Sequence, residues 1–194
     1  HQTTCKLLKL NINRGCGGAR TQATKTKFLK LPLAKFDKIL FATHGVLVKD
    51  SPISNSISLL FSQSDHGESP ESVMLSSSEV GDLNLNARLV FLSACNTARS
   101  DLGTFYAGFR DLAASFMYAG VPTVLASLWS VETNSAQELS TRFFRGFSGE
   151  THLSASEALA RAKRSYIAES APEFAHPRFW SSIVLNGAGI LKDR

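Results

Sequence analysis

Unbroken apolar runs, not alternating ones, mark the strongest segments of this chain. Ile39-Leu40-Phe41, Leu89 to Leu92 and Val121 to Trp129 are short, are bounded by polar or turn residues, and predict strands buried on both faces. Ile57 to Phe61 and Phe179 to Leu185 predict two more, the last ended by Asn186-Gly187. Between them the spacing changes to a helical one. Phe105, Phe109, Leu112 and Phe116 predict a helix over Thr104–Tyr118, closed by Ala119-Gly120. Leu139, Phe143 and Phe144 belong to a helix over Glu132–Phe147, and Ala158, Leu159, Ala162 and Tyr166 to one over Ser154–Ile167. Ser76 to Glu79 read S-S-S-E, the start signal of a short helix to Asp82. Ala19 to Lys30 predict a helix that stops before Pro32, whereas Leu7, Leu8, Leu10 and Ile12 suit a helix or a strand equally. His44 to Ser56 and Ser62 to Glu71 read as polar loops.

Strands that alternate with helices from residue 36 onward imply an α/β fold, a mostly parallel sheet with helices on both faces. At 194 residues, with 43% hydrophobic and 19% charged residues, the chain suits one ordinary domain with a sizeable core. No internal repeat is visible, no apolar run nears the roughly 18 residues of a membrane span, and no signal-peptide pattern opens the chain. It starts at His1, so it is expected to be a piece of a longer protein, and a cytoplasmic setting is the expectation.

Charge changes this picture only at one end. Nine of the 21 Lys and Arg residues, but one of the 16 acids, fall within residues 1–38, and the remainder is mildly acidic. Such a segment can meet an acidic neighbour or nucleic acid. No aromatics interleave with its basic residues as base stacking needs, so a solvated surface is expected and nucleic acid is not the expected partner. The three cysteines, Cys5, Cys16 and Cys95, form neither a disulfide framework nor a CxxC site, and the five histidines never take ligand spacing, so no metal site is expected. The glycines at 15, 17 and 18 do not make a phosphate-binding fingerprint.

Two of the strands end on reactive side chains. Phe36 to Gly45 close on His44 and Gly45; Arg88 to Thr97 close on the small pair Ser93-Ala94, then Cys95, Asn96 and Thr97. Open α/β sheets bind ligands just outside the carboxyl ends of their strands. A thiol attacks a carbonyl as thiolate, and an imidazole within reach supplies the base. The two residues lie 51 positions apart, so only the fold can join them, and caspases space their His and Cys by about 50. Gly45 lets backbone approach a scissile carbonyl, and its N–H with that of Cys95 forms a candidate oxyanion hole. Alone, such a Cys also reads as a small buried hydrophobe and such a His as a loop residue. Ser93 is a weaker nucleophile candidate, with no G-x-S-x-G around it.

Six blocks in order carry a family resemblance: I-L-F-A-T-H-G (39–45), L-V-F-L-S-A-C-N-T (89–97), L-A-A-S-F-M-Y-A-G (112–120), V-L-A-S-L-W-S-V-E (124–132), E-A-L-A-R-A (157–162) and H-P-R-F-W-S-S-I-V-L-N-G (176–187). With them the chain resembles the CHAT domain, a caspase-like cysteine peptidase domain of clan CD found mostly in bacteria behind tetratricopeptide repeats. The resemblance implies a caspase–haemoglobinase fold over residues 19–194, with 1–18 a weakly recognisable leading segment. It implies His44 as base, Cys95 as nucleophile, no cofactor, a protein or peptide substrate, and a helical-repeat region as regulatory partner. By the same resemblance Ser127, Trp129 and Glu132 are candidates for substrate contact, and Asp101 is a second acid near the nucleophile. The chain departs from the family pattern at Ser130 (commonly Pro), Thr133 (commonly acidic), Ala107 (commonly Glu) and Ser181 (commonly Ala). The rival expectations are a catalytically silent scaffold on the same fold and a small-ester or amide hydrolase.

Overall fold

The computed structural model describes residues 7–11, 24–48, 56–62, 69–96, 112–129, 131–148 and 153–189. The glycine break at 15–18, Cys5, Cys16, Asp101, Ser130, the loop after Asn96 and the first part of the helix expected from Thr104 lie outside them.

One seven-stranded sheet organises these residues in the order β4 (Met74–Leu75), β3 (Ser56–Leu60), β2 (Lys38–Val48), β5 (Leu89–Asn96), β6 (Thr123–Ser127), β7 (Ile183–Gly187). Strand β1 (Leu7–Asn11) also pairs with β2, along its first half, so the segment that suited helix or strand is a strand. Strands β1, β2, β5 and β6 run parallel and β4 points the same way, while β3 and β7 run against them. This is the α/β, mostly parallel arrangement that the apolar runs predict.

Both faces of the sheet are covered, which is why those runs are unbroken. On one face Ile39, Phe41, Val90, Leu92, Val124 and Ala126 pack under Phe28 of α1 (Lys25–Leu29), Val80 of α3 (Ser77–Gly81) and Leu112 and Phe116 of helix α4, described over 112–118. On the other, Leu40, Leu89, Phe91, Leu125 and Ile183 meet α5 (Thr133–Phe147) and α6 (Ala155–Glu169). Successive residues of each strand thus go to opposite cores, as pleating requires. Each face buries an aromatic group: Phe28, Phe41 and Phe61 on the first, Phe91, Phe143 and Phe147 on the second.

The helices begin where the side-chain chemistry says they should. Ser76 with Glu79 and Ser154 with Glu157 form capping boxes, each Ser oxygen accepting from the third residue's amide and each Glu accepting in return. Three local expectations are corrected. Strand β2 does not stop at His44 but continues to Val48, because Val46, Leu47 and Val48 pair with β3 as an antiparallel hairpin arm. Part of the expected polar loop 62–71 is a single helical turn, α2 (Pro70–Val73), led by a proline at its first position. Residues 177–180 form a short helix, α7 (Pro177–Trp180), before the last strand begins at Ile183: Pro177 pre-sets the helical turn, His176 Nδ1 accepts from the Arg178 amide, and Trp180 Nε1 donates to Ala175 O at 2.9 Å.

Candidate active site

The site is built from the bottom of the sheet upward. Arg88 grips Asp37 with two bonds, Nε to Oδ1 at 2.6 Å and Nη2 to Oδ2 at 3.0 Å, and its amide donates to the Asp37 carbonyl at 2.8 Å. This planar two-point clamp sits just before the first paired residues, Lys38 and Leu89. From there β2 and β5 climb in step, residue for residue, through Leu40 opposite Phe91 and Ala42 opposite Ser93 to His44 opposite Cys95 and Gly45 opposite Asn96. Both Asp37–Arg88 and His44–Cys95 are separated by the same 51 positions. A slip of one residue would move one member of the upper pair to the wrong sheet face. The clamp was not singled out in the sequence; the signal that could have found it is the repeated seven-residue offset from an acid to His44 and from a base to Cys95.

His44 stands on the same sheet face as Leu40, the α5–α6 side, two strand residues above Ala42. The ring is half-buried, and its Nδ1 is fully covered without a hydrogen-bond partner among the described residues. A buried nitrogen left in that state calls for an explanation, and a role in chemistry is one of the few available. The neighbouring Thr43 points to the other face, 1% exposed, and its hydroxyl donates to the Leu60 carbonyl at the end of β3. The backbone on either side of His44 is therefore held by β5 and β3 together, and Gly45 is buried between Leu59 and Asn96.

The wall expected at 127–132 rises from the next strand. Ser127 is 3% exposed and pairs with Ile183. Leu128 donates its amide to Ser182 O at 2.9 Å, and the half-buried Trp129 donates its indole N–H to Arg178 O at 3.0 Å. The segment before β7 thus props the segment after β6. Glu132 is exposed and caps α5, its two oxygens accepting from the amides of Asn134 (3.0 Å) and Ser135 (2.8 Å). Partial burial pushes its carboxyl up, but those two amides and the Ser135 hydroxyl outweigh it, so the group sits below the usual glutamate range. A cavity of about 400 Å³ lies beside this cap, lined by Glu132, Ser135, Glu138, Tyr166, Glu169 and Phe174 among others. His44 does not line it, and Glu138 and Glu169 already hold Arg142.

The cap carries a prediction. Glu132→Ala is expected to lower stability by about 1 kcal/mol at neutral pH, the usual worth of an N-cap. Because the folded-state carboxyl is held low, this contribution is complete above the ordinary glutamate range and fades as pH falls through the lowered value. Thermal melts of both proteins across about pH 3–7 should show the difference shrinking at the acid end; a constant difference would exclude an ionised cap.

Among the described residues, no three His, Cys, Asp or Glu side chains converge as a metal ion needs, and no helix is long and apolar enough to cross a membrane. Against known families, the CHAT domain matches residues 16–188. Over 120 residues the chain is 28% identical to the human protein Tetratricopeptide repeat protein 28. That alignment covers 62% of this chain but 5% of the relative, so the chain spans a small part of the protein it matches.

Proposed function

This chain belongs to the CHAT domain family, whose fold is caspase-like, and on that basis we propose that it is a cysteine endopeptidase in which Cys95 is the nucleophile and His44 the base. The observation that carries this reading is the register of β2 and β5, which makes His44 and Cys95 direct partners near the upper end of the parallel ladder between the two strands. Such positions are about 4.8 Å apart along the sheet and share a face. The covered, unpartnered Nδ1 of His44 supports it further.

In the proposed reaction the imidazole takes the thiol proton, and the thiolate adds to the scissile carbonyl. The negative oxygen is met by the N–H groups of Gly45 and Cys95. The imidazolium then protonates the leaving amine as the C–N bond breaks, which leaves a thioester on Cys95. A water molecule, giving its proton to His44, hydrolyses the thioester to a carboxylate and restores the thiol. Ser127, Trp129 and Glu132 belong to the wall beside the substrate. Trp129 contributes ring surface, while Ser127 and Glu132 shape its base and far end. The relative is by name a tetratricopeptide repeat protein, which supports a helical-repeat region as the partner that governs this domain; the proposed substrate is a protein or peptide.

The test is a comparison of new protein termini after incubation of a proteome with the protein and with its Cys95→Ala variant. Cuts that appear only with the thiol present are expected. Identical termini from both proteins would sink the peptidase reading and favour a silent scaffold on the same fold.

A further inference from the structure

The segment that leads into β7 carries a charged group for which neither the fold nor the proposed reaction has a use. Arg178 lies on α7, exposed, with its guanidinium over the Phe179 ring at 5.2 Å. Phe179 is itself braced edge-on by Phe174 at 5.2 Å. The backbone beneath is fixed at three points: the His176 ring accepts from the Arg178 amide at 3.2 Å, Trp180 holds Ala175 O, and Trp129 holds Arg178 O. Arg88 and Arg142 are paired with carboxylates. Arg178 has no carboxylate partner among the described residues. Stacking on an aromatic face leaves the edge of a guanidinium, with its N–H donors, free for a planar anion. A cation held this way loses little freedom when it binds one.

Its position relative to Cys95 can be read from the sheet. Trp129 follows β6 by two residues, β6 lies beside β5, and the Trp129 indole meets the Arg178 carbonyl at 3.0 Å. With strands about 4.8 Å apart, Arg178 stands on the order of 10–15 Å from position 95. An extended peptide covers about 3.3–3.6 Å per residue, so this is the reach of a side chain three to four residues from the bond being cut.

We propose that Arg178 is a specificity-determining residue: it selects substrates with an aspartate or glutamate three to four residues from the scissile bond. The proposal rests on the peptidase reading above and names a substrate class for it, protein segments acidic on one side of the cut. The neighbouring cavity at the α5 cap does not compete for this role, because Glu132, Glu138 and Glu169 in its lining repel an acidic side chain.

A peptide library digested by the wild-type chain and by Arg178→Gln, Arg178→Lys and Arg178→Glu tests it, with Cys95→Ala as background. Among thiol-dependent cuts, the wild type should favour Asp or Glu at one such position. The ratio of acidic to neutral peptides should fall roughly 2- to 5-fold with Gln, as loss of an exposed charge pair implies. It should be partly kept with Lys and turn toward basic residues with Glu, with the change residing in KM. Thiol-dependent cuts with one and the same profile in all four proteins would overturn the role of Arg178 and leave the peptidase reading standing. A wild-type chain with no thiol-dependent cuts would overturn both.

Discussion

Replacing His44 by alanine is expected to lower peptide cleavage at neutral pH by about 10²- to 10⁴-fold, the usual worth of a positioned general acid and base. A free thiol is mostly protonated at pH 7, so without the imidazole few molecules hold an attacking thiolate. The leaving amine also loses its proton donor. Two signatures separate this from simple damage to the fold. Residual cleavage by His44→Ala should rise about tenfold per pH unit up to roughly 8.5, where an ordinary thiol ionises. The variant should also melt close to the wild type, since the ring it removes makes no hydrogen bond through Nδ1 among the described residues. Cleavage of a reporter peptide across pH, beside a thermal melt, reads both. Unchanged cleavage in a protein that does cut through Cys95 would remove His44 from the reaction.

For stability the largest expected single effect belongs to Phe91. Its side chain is wholly buried in the middle of β5, with Phe143 edge-on at 5.6 Å and Phe144 tilted at 6.0 Å. Its strand neighbours are Leu40 and Leu125, so it is enclosed by two strands and a helix. Phe91→Ala should cost about 3–5 kcal/mol through lost transfer energy and the cavity left behind. That is a large part of the 5–15 kcal/mol typical of a folded domain, and β5 carries the register on which Cys95 depends. Phe91→Leu should cost clearly less. Urea unfolding of the three proteins measures both, and a loss for Phe91→Ala below about 1 kcal/mol would contradict the packing described.

The parts of the fold legible in the sequence are those whose burial or period is written locally. Strands β2, β5 and β6 appear as apolar runs because a parallel strand covered on both faces leaves no polar position. Helices α5 and α6 show their inner faces at helical spacing, and the capping boxes at Ser76 and Ser154 mark their own starts. What could not be read is short or depends on a distant partner. Strand β4 has two residues, α7 has four, and neither length can display a period. The arm of β2 beyond His44 is a strand only because β3 pairs with it.

Sequence motifs were enough to mark His44 and Cys95 as candidates, and to name the family; the match over residues 16–188 bears out the family. The pairing of the two residues at the same height of the sheet was not in those motifs. It follows from the Asp37–Arg88 clamp and the parallel ladder above it, interactions across 51 positions of chain. Arg178 is likewise marked in the sequence only as one residue of the block 176–187, and it is Trp129, 49 positions away, that holds its carbonyl. Local patterns determine which segments become strands and helices, because burial and hydrogen bonding act there at short range. Only the tertiary structure decides which strand ends meet and which charge stands beside them, because register is set by contacts between segments far apart in the chain.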